Sequence, residues 1–207
     1  SGKGCREAHD SGSTGREGGQ GGEEMSRQPL DFYATPTPVI YAILPHLPLG
    51  GRILEPAAGD GQILRVLGYA GFPLANISAI EIDEGRANQC TQLGFDCIHG
   101  DALAVDWPAA SLVFTNPPFT LGLQFAQKAI AHVAPHGGTV AMLLRLTFLE
   151  SRERAAFHRA NPSDVYVLPA RPKFVNGATD TVTSAWFVWG PGRGGRWSIL
   201  DVGEPSR

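Results

Sequence analysis

The sequence predicts an α/β fold: a seven-stranded, mostly parallel sheet with helices on both faces and a C-terminal antiparallel hairpin. Three observations carry that prediction. Short apolar runs alternate with longer segments of helical spacing, the pattern of repeated strand–helix units. Small or acidic residues follow several of those runs, as in Glu55-Pro56-Ala57-Ala58-Gly59-Asp60-Gly61, Glu81-Ile82-Asp83 and Gly100-Asp101. The last connection, Pro169 to Thr181, has no helical pattern. A parallel pairing needs a crossover of about a dozen or more residues, usually helical, so the last two strands are expected to pair antiparallel.

The elements follow in order. Pro36 and Pro38 precede the apolar run Val39–Leu44, a short helix that Pro45 ends. Arg52–Glu55 reads as a buried strand. The Gly59-Asp60-Gly61 turn leads into a helix whose apolar residues are Ile63, Leu64, Val66 and Leu67. Ile77–Ile82 is the second strand, Glu84–Leu93 a helix and Phe95–Ile98 the third strand. Leu112–Thr115 is the fourth strand, followed by a helix over Leu121–Val133 that Gly137-Gly138 closes. Thr139–Leu146 is the fifth strand and Ser151–Arg159 a polar helix. Val165–Leu168 and Val182–Trp189 are the last two strands.

The 207 residues fit one such domain, read here as residues 31–190. Residues 1–30 read as a disordered Gly-rich tail, because they hold too little apolar surface to offset ordering entropy. Residues 191–207 read as an irregular C-terminal tail. No apolar run approaches the roughly 18–20 residues of a membrane span, and the polar N-terminus is unlike a signal peptide. A cytoplasmic protein is expected. Cys5, Cys90 and Cys97 have no metal-site spacing and read as reduced thiols, and no metal is expected. Net charge is −3, but it is unevenly spread. Residues 25–144 hold five basic and nine acidic side chains, whereas residues 145–196 hold eight basic and four acidic. The C-terminal third is a candidate polyanion-facing surface.

In open α/β sheets, ligands bind beyond the carboxyl ends of the strands. Glu55 and the small-residue loop through Ala57, Gly59 and Gly61 fall at such an end. The loop is neither GxGxxG nor a Walker motif, and a carboxylate before it disfavours pyrophosphate. Glu55 suits a cationic group, such as the amino group of an amino acid. Glu81 ends the second strand and suits paired ribose hydroxyls. Ile82 is placed to pack on a purine face. Asp101, with Ala102 beside it, is placed to accept from an adenine amino group. Asn116-Pro117-Pro118-Phe119 follows the fourth strand. Two prolines fix φ and remove two amide donors, leaving the Asn116 side-chain oxygen and the Pro117 carbonyl as acceptors. Such a pair suits an aromatic amine, whose nitrogen lone pair is delocalised until its hydrogens are held. Pro118 stiffens the turn and Phe119 is a platform for a flat base.

This arrangement resembles the class I S-adenosylmethionine-dependent methyltransferases, from about Asp31 to Trp189. The NPPF motif resembles that of amino-methyltransferases acting on adenine, cytosine or protein glutamine. The order, cofactor loop before NPPF, is similar to gamma-type and phage adenine-specific DNA methyltransferases. So is Arg171-Pro172-Lys173-Phe174, followed by Thr179-Asp180 and Ala185–Trp189. The resemblance implies a Rossmann-like methyltransferase fold with S-adenosyl-L-methionine as cofactor. It implies Glu55 and its loop at the methionine part, Thr35-Pro36 closing over that end, Glu81 on the ribose, and Ile82 and Asp101 on the adenine. Asn116–Phe119 would act on N6 of an adenine in DNA, flipped out or single-stranded. Phe174 would stack on the base, with Arg171 and Lys173 on phosphates. Ala57 stands where many members have the first glycine. The separate recognition domain usual in that group is not visible, so a specificity partner, a homo-oligomer or relaxed specificity is implied. Cytosine-N4 DNA or adenine RNA methylation stands as the alternative, and a non-catalytic binding subunit as the alternative of another class.

Overall fold

The computed structural model describes residues 34–169 and 183–203. The sheet has eight strands: β1 (Ile53–Glu55), β2 (Ile77–Glu81), β3 (Asp96–His99), β4 (Leu112–Thr115), β5 (Thr139–Arg145), β6 (Asp164–Val167), β7 (Ser184–Trp189) and β8 (Trp197–Ile199). Their spatial order is β3-β2-β1-β4-β5-β7-β6-β8. Strands β1 to β5 pair in parallel. β7 runs antiparallel between β5 and β6. The expected hairpin is therefore present, and the second of its strands lies inside the sheet.

Among the described residues, five α-helices cover the sheet: α1 (Thr37–Ile43), α2 (Gln62–Tyr69), α3 (Glu84–Gln92), α4 (Gly122–Val133) and α5 (Arg152–Ala160). Each has a local cause. Pro38 stands in the first turn of α1, where its missing N–H costs nothing. The Asp83 carboxylate caps α3 by accepting from Arg86 N at 2.9 Å, and Ser151 caps α5 through Arg154 N at 3.2 Å. A short 3₁₀ turn extends α4 to Gly137, whose φ of 60° is the left-handed stop expected of glycine. Ile63, Leu64, Val66 and Leu67 of α2 are all buried, as their spacing requires.

Two apolar layers result. One, with Ile40, Ile43, Leu64, Leu67 and Cys90, packs α1, α2 and α3 on one face. The other, with Phe125, Ala129, Met142 and Phe187, packs α4 on the opposite face, and Phe157 of α5 joins it. Trp186 is fully buried in the first layer, tilted against Phe114 at 4.9 Å. Its indole N–H donates to Val39 O at 3.1 Å, which ties β7 to α1.

The strand count is corrected from seven to eight, and the tail read as irregular carries β8, parallel to β6. The cause is one buried carboxylate. Asp164, 1% exposed, accepts from Gly194 N at 3.0 Å and Arg196 N at 3.3 Å. It also pairs with the Arg196 and Arg193 guanidiniums at 2.9 and 3.4 Å. These bonds fold the Gly-rich tail back along β6. Burial alone would raise the Asp164 carboxyl; the Gly194 amide and Arg196 outweigh it and hold it below the usual carboxylate range. A lowered value places its stabilisation above the ordinary carboxylate pKa, and that stabilisation is lost as pH falls through the lower, folded value. Asp164→Ala is expected to lower the thermal midpoint by roughly 5 °C at neutral pH. The difference from the parent should shrink in strong acid, as melting curves across pH will show.

Candidate active site

Because β3, β2, β1 and β4 are adjacent and parallel, their carboxyl ends share one edge of the sheet. A cleft lies along that edge. Ala34, Thr35, Glu55, Ala57, Gly59, Glu81, Ile82, Asp101, Ala102, Asn116 and Pro118 all line it. So do Gln62, Arg86, Leu121 and Phe125, which sequence reasoning missed.

The loop after β1 is shaped by short-range bonds. Ala58 N donates to Ile80 O at 3.1 Å, pinning the loop to β2, and Gly61 N donates back to Ala58 O at 2.8 Å. Gly61 has a φ of 76°, and a side chain there would meet Cys90 Sγ at 3.2 Å. Glycine is needed on both counts. Gly61 thus supports the loop from behind instead of lining the cleft.

Glu55 is 2% exposed, and its Oε2 has no hydrogen-bond partner among the described residues. Burial above all, and then Cys90, Asp60 and Glu81, hold its carboxyl well above the usual range, against an opposing Leu64 amide. Glu55 lines the cleft, and a buried carboxyl with an oxygen lacking a partner suits a cationic donor. Glu81 is differently placed. Its Oε2 accepts from Gly59 N at 2.7 Å and its Oε1 from Asp83 N at 3.0 Å. Arg86 of α3 lies 3.5 Å from Oε1. Those bonds aim the carboxylate, and each oxygen keeps a second lone pair for a hydroxyl. Ile82 is 44% exposed, an apolar surface open to the cleft. Asp101 Oδ1 accepts from Leu103 N at 2.9 Å, which fixes its carboxylate within its own turn.

From the turn after β4, Asn116 and Pro118 line the cleft. Asn116 Nδ2 donates to the hydroxyl of Thr35 at 3.0 Å, across 81 positions of chain. That bond orients the amide plane. Thr35 is itself buried, while Pro36 serves as the N-cap of α1 and stands outside the lining. Pro117 is buried under the turn. Phe119 faces a neighbouring hollow, with Thr120, Leu144, Arg145, Thr147, Phe148 and Arg154. The Arg145 guanidinium stacks 4.8 Å from the Phe119 ring. Arg171, Lys173 and Phe174 lie outside the described residues. Arg86 had a local signal, as the third residue after Asp83, the cap of α3. Leu121 and Phe125 had none beyond helical spacing.

No protein-family model matches the chain, and no curated protein matches it. Solved structures do. The type I restriction-modification system methyltransferase subunit from Streptococcus thermophilus aligns at a TM-score of 0.63 and 17% identity, over 81% of this chain and 47% of its own. A putative class I S-adenosylmethionine-dependent methyltransferase from Listeria monocytogenes aligns at 0.61 and 15%, over 81% and 64%. A dimethyladenosine transferase from Plasmodium falciparum aligns at 0.54 and 17%, over 77% and 62%. The chain thus spans less than two-thirds of the length of each. At such identities the likeness speaks for the fold. That fold is a Rossmann-like α/β fold with a mostly parallel sheet and an antiparallel hairpin, as in these methyltransferase structures.

Proposed function

We propose that this chain is an S-adenosyl-L-methionine-dependent methyltransferase acting on N6 of adenine in DNA. The observation that carries the reading is the turn at the end of β4, whose Asn116 and Pro118 line the cleft, with the Asn116 amide anchored by Thr35. The fit to the cofactor rests on Glu55. Its orphaned, buried Oε2 suits the cationic amino group of the methionine part, and the Ala57–Gly59 loop leaves backbone within reach. Glu81 suits the ribose hydroxyls, and Ile82 and Asp101 the adenine ring. When bound, the cofactor supplies a methyl group activated by a sulfonium centre.

The chain's own residues prepare the acceptor. With Nδ2 held by Thr35, Asn116 presents Oδ1 to one hydrogen of the target amino group, and the Pro117 carbonyl takes the other. Two acceptors favour a pyramidal nitrogen with a localised lone pair. Phe119, backed by Arg145, offers a flat face to the base. An adenine stacked within a duplex cannot reach such a cleft, so the target is flipped out or single-stranded. DNA as the polymer is supported by the basic C-terminal third and by the resemblance of the Arg171–Phe174 segment to phage enzymes. Arg171 and Lys173 are proposed on phosphates and Phe174 on the second face of the base.

The test is direct. The protein is incubated with labelled S-adenosylmethionine and duplex DNA, single-stranded DNA or RNA, and the digested nucleosides are identified. N6-methyladenine in a DNA sample is expected. Its absence from every DNA sample, with methylcytosine or an RNA product instead, would sink the reading.

A further inference from the structure

Lys128 of α4 stands behind the turn that carries Asp101. Its ammonium donates to Ala102 O at 2.8 Å, Leu103 O at 3.2 Å and Val105 O at 2.7 Å. That uses all three of its protons. The same ammonium lies 5.2 Å from the Trp107 ring, a cation–π contact. Trp107 Nε1 adds a second donor to Ala102 O, at 2.7 Å. One turn further along α4, on the same helical face, His132 Nε2 donates to Pro108 O at 3.0 Å and meets Trp107 edge-on. Two residues of one helix thus grip the whole segment from Ala102 to Pro108.

The grip has a direction. Asp101 and Ala102 face the cleft, while the carbonyls of Ala102, Leu103 and Val105 are held from α4. The turn is closed by Ala104 N and Val105 N on Asp101 O, both at 2.9 Å. Moving Ala102 therefore moves Asp101. A hydrophobic side chain would suffice to pack this face of α4. A lysine saturated by three successive loop carbonyls instead sets the loop's backbone. The same helix follows directly on the Asn116–Phe119 turn and lends Phe125 to the cleft, so it joins the two ends of the site.

We propose that Lys128, supported by His132, is a positioning residue that sets the pocket for the cofactor's adenine ring through Asp101. The inference rests on the cofactor reading above and is independent of which polymer is methylated. Binding of S-adenosylhomocysteine and its inosine counterpart, S-inosylhomocysteine, is compared by calorimetry. The 6-oxo group of hypoxanthine sets an acceptor against the Asp101 carboxylate, so the intact protein should prefer the adenine form. Lys128→Met keeps an unbranched stem as far as Cε and removes the ammonium donors. It is expected to weaken S-adenosylhomocysteine about tenfold, the size of one charge-assisted bond, and to narrow the preference between the two ligands. Lys128→Arg should keep most of that preference, and the turnover rate of Lys128→Met at saturating cofactor should stay near that of the parent. A Met variant that discriminates as well as the parent overturns the proposal and leaves the cofactor reading intact, even if its thermal midpoint falls. A parent protein that binds neither ligand overturns both.

Discussion

Asn116→Ala is expected to lower the turnover rate about 10²–10³-fold, the usual cost of removing one preorganised hydrogen-bonding group at a reacting centre. The dissociation constant of S-adenosylhomocysteine should change little. The asymmetry follows from geometry. Asn116 sits at the end of β4, and its Nδ2 is held by Thr35 at 3.0 Å. Alanine removes the acceptor for the amino hydrogen but leaves Glu55, Glu81 and Asp101 in place. The Pro117 carbonyl remains as a single acceptor, too little to localise the lone pair. Single-turnover kinetics beside a binding titration separates the two effects. Full activity in the variant would remove the amide from the mechanism. Equal losses in rate and affinity would make it a cofactor ligand.

Glu55→Gln is the second large effect, and it is best read against pH. In the ligand-free protein the Glu55 carboxyl is held well above the usual range by burial and by Cys90, Asp60 and Glu81. It therefore keeps its proton where ordinary carboxylates have lost theirs. A cationic amino group arriving beside Oε2 favours the charged form, so binding expels that proton. Cofactor affinity should then rise by about tenfold per pH unit at most, and level off above the raised value. The glutamine variant cannot charge: its affinity should be lower near neutrality and its pH slope flat. The stability sign is the reverse. A carboxyl raised on folding stabilises the ligand-free protein at low pH, and that contribution is lost as pH rises through the folded value. The ligand-free thermal midpoint should fall across that window, and both saturating cofactor and Glu55→Gln should suppress the fall. Identical pH profiles for parent and variant would falsify this role for Glu55.

Much of this site was legible because parallel strands impose order on sequence. When each strand is followed by a helix, the carboxyl ends of neighbouring strands must meet on one edge. Glu55, Glu81, Asp101 and Asn116 could therefore be assigned to one cleft from their positions after apolar runs, and they share it. The hairpin was legible for a similar reason: the Pro169–Thr181 sequence carries no helical pattern for a parallel crossover. Strand β8 was not legible. Trp197–Ile199 is three residues in a Gly-rich stretch, with all three side chains exposed. Nothing in its pattern separates it from a loop.

The sequence by itself determined the alternation of strands and helices, the small-residue turn at Gly59–Gly61 and the rigid Asn-Pro-Pro turn. Each follows from backbone sterics and apolar spacing within a few residues. Only the tertiary structure decided the rest. The Asp164 carboxylate recruits β8 through groups about 30 residues away, the Thr35 hydroxyl meets Asn116 across 81, and Lys128 finds the Ala102 carbonyl 26 residues back. Those bonds join polar groups whose partners have no fixed spacing along the chain. They become visible once the sheet has set α1, α4 and the strand ends beside one another.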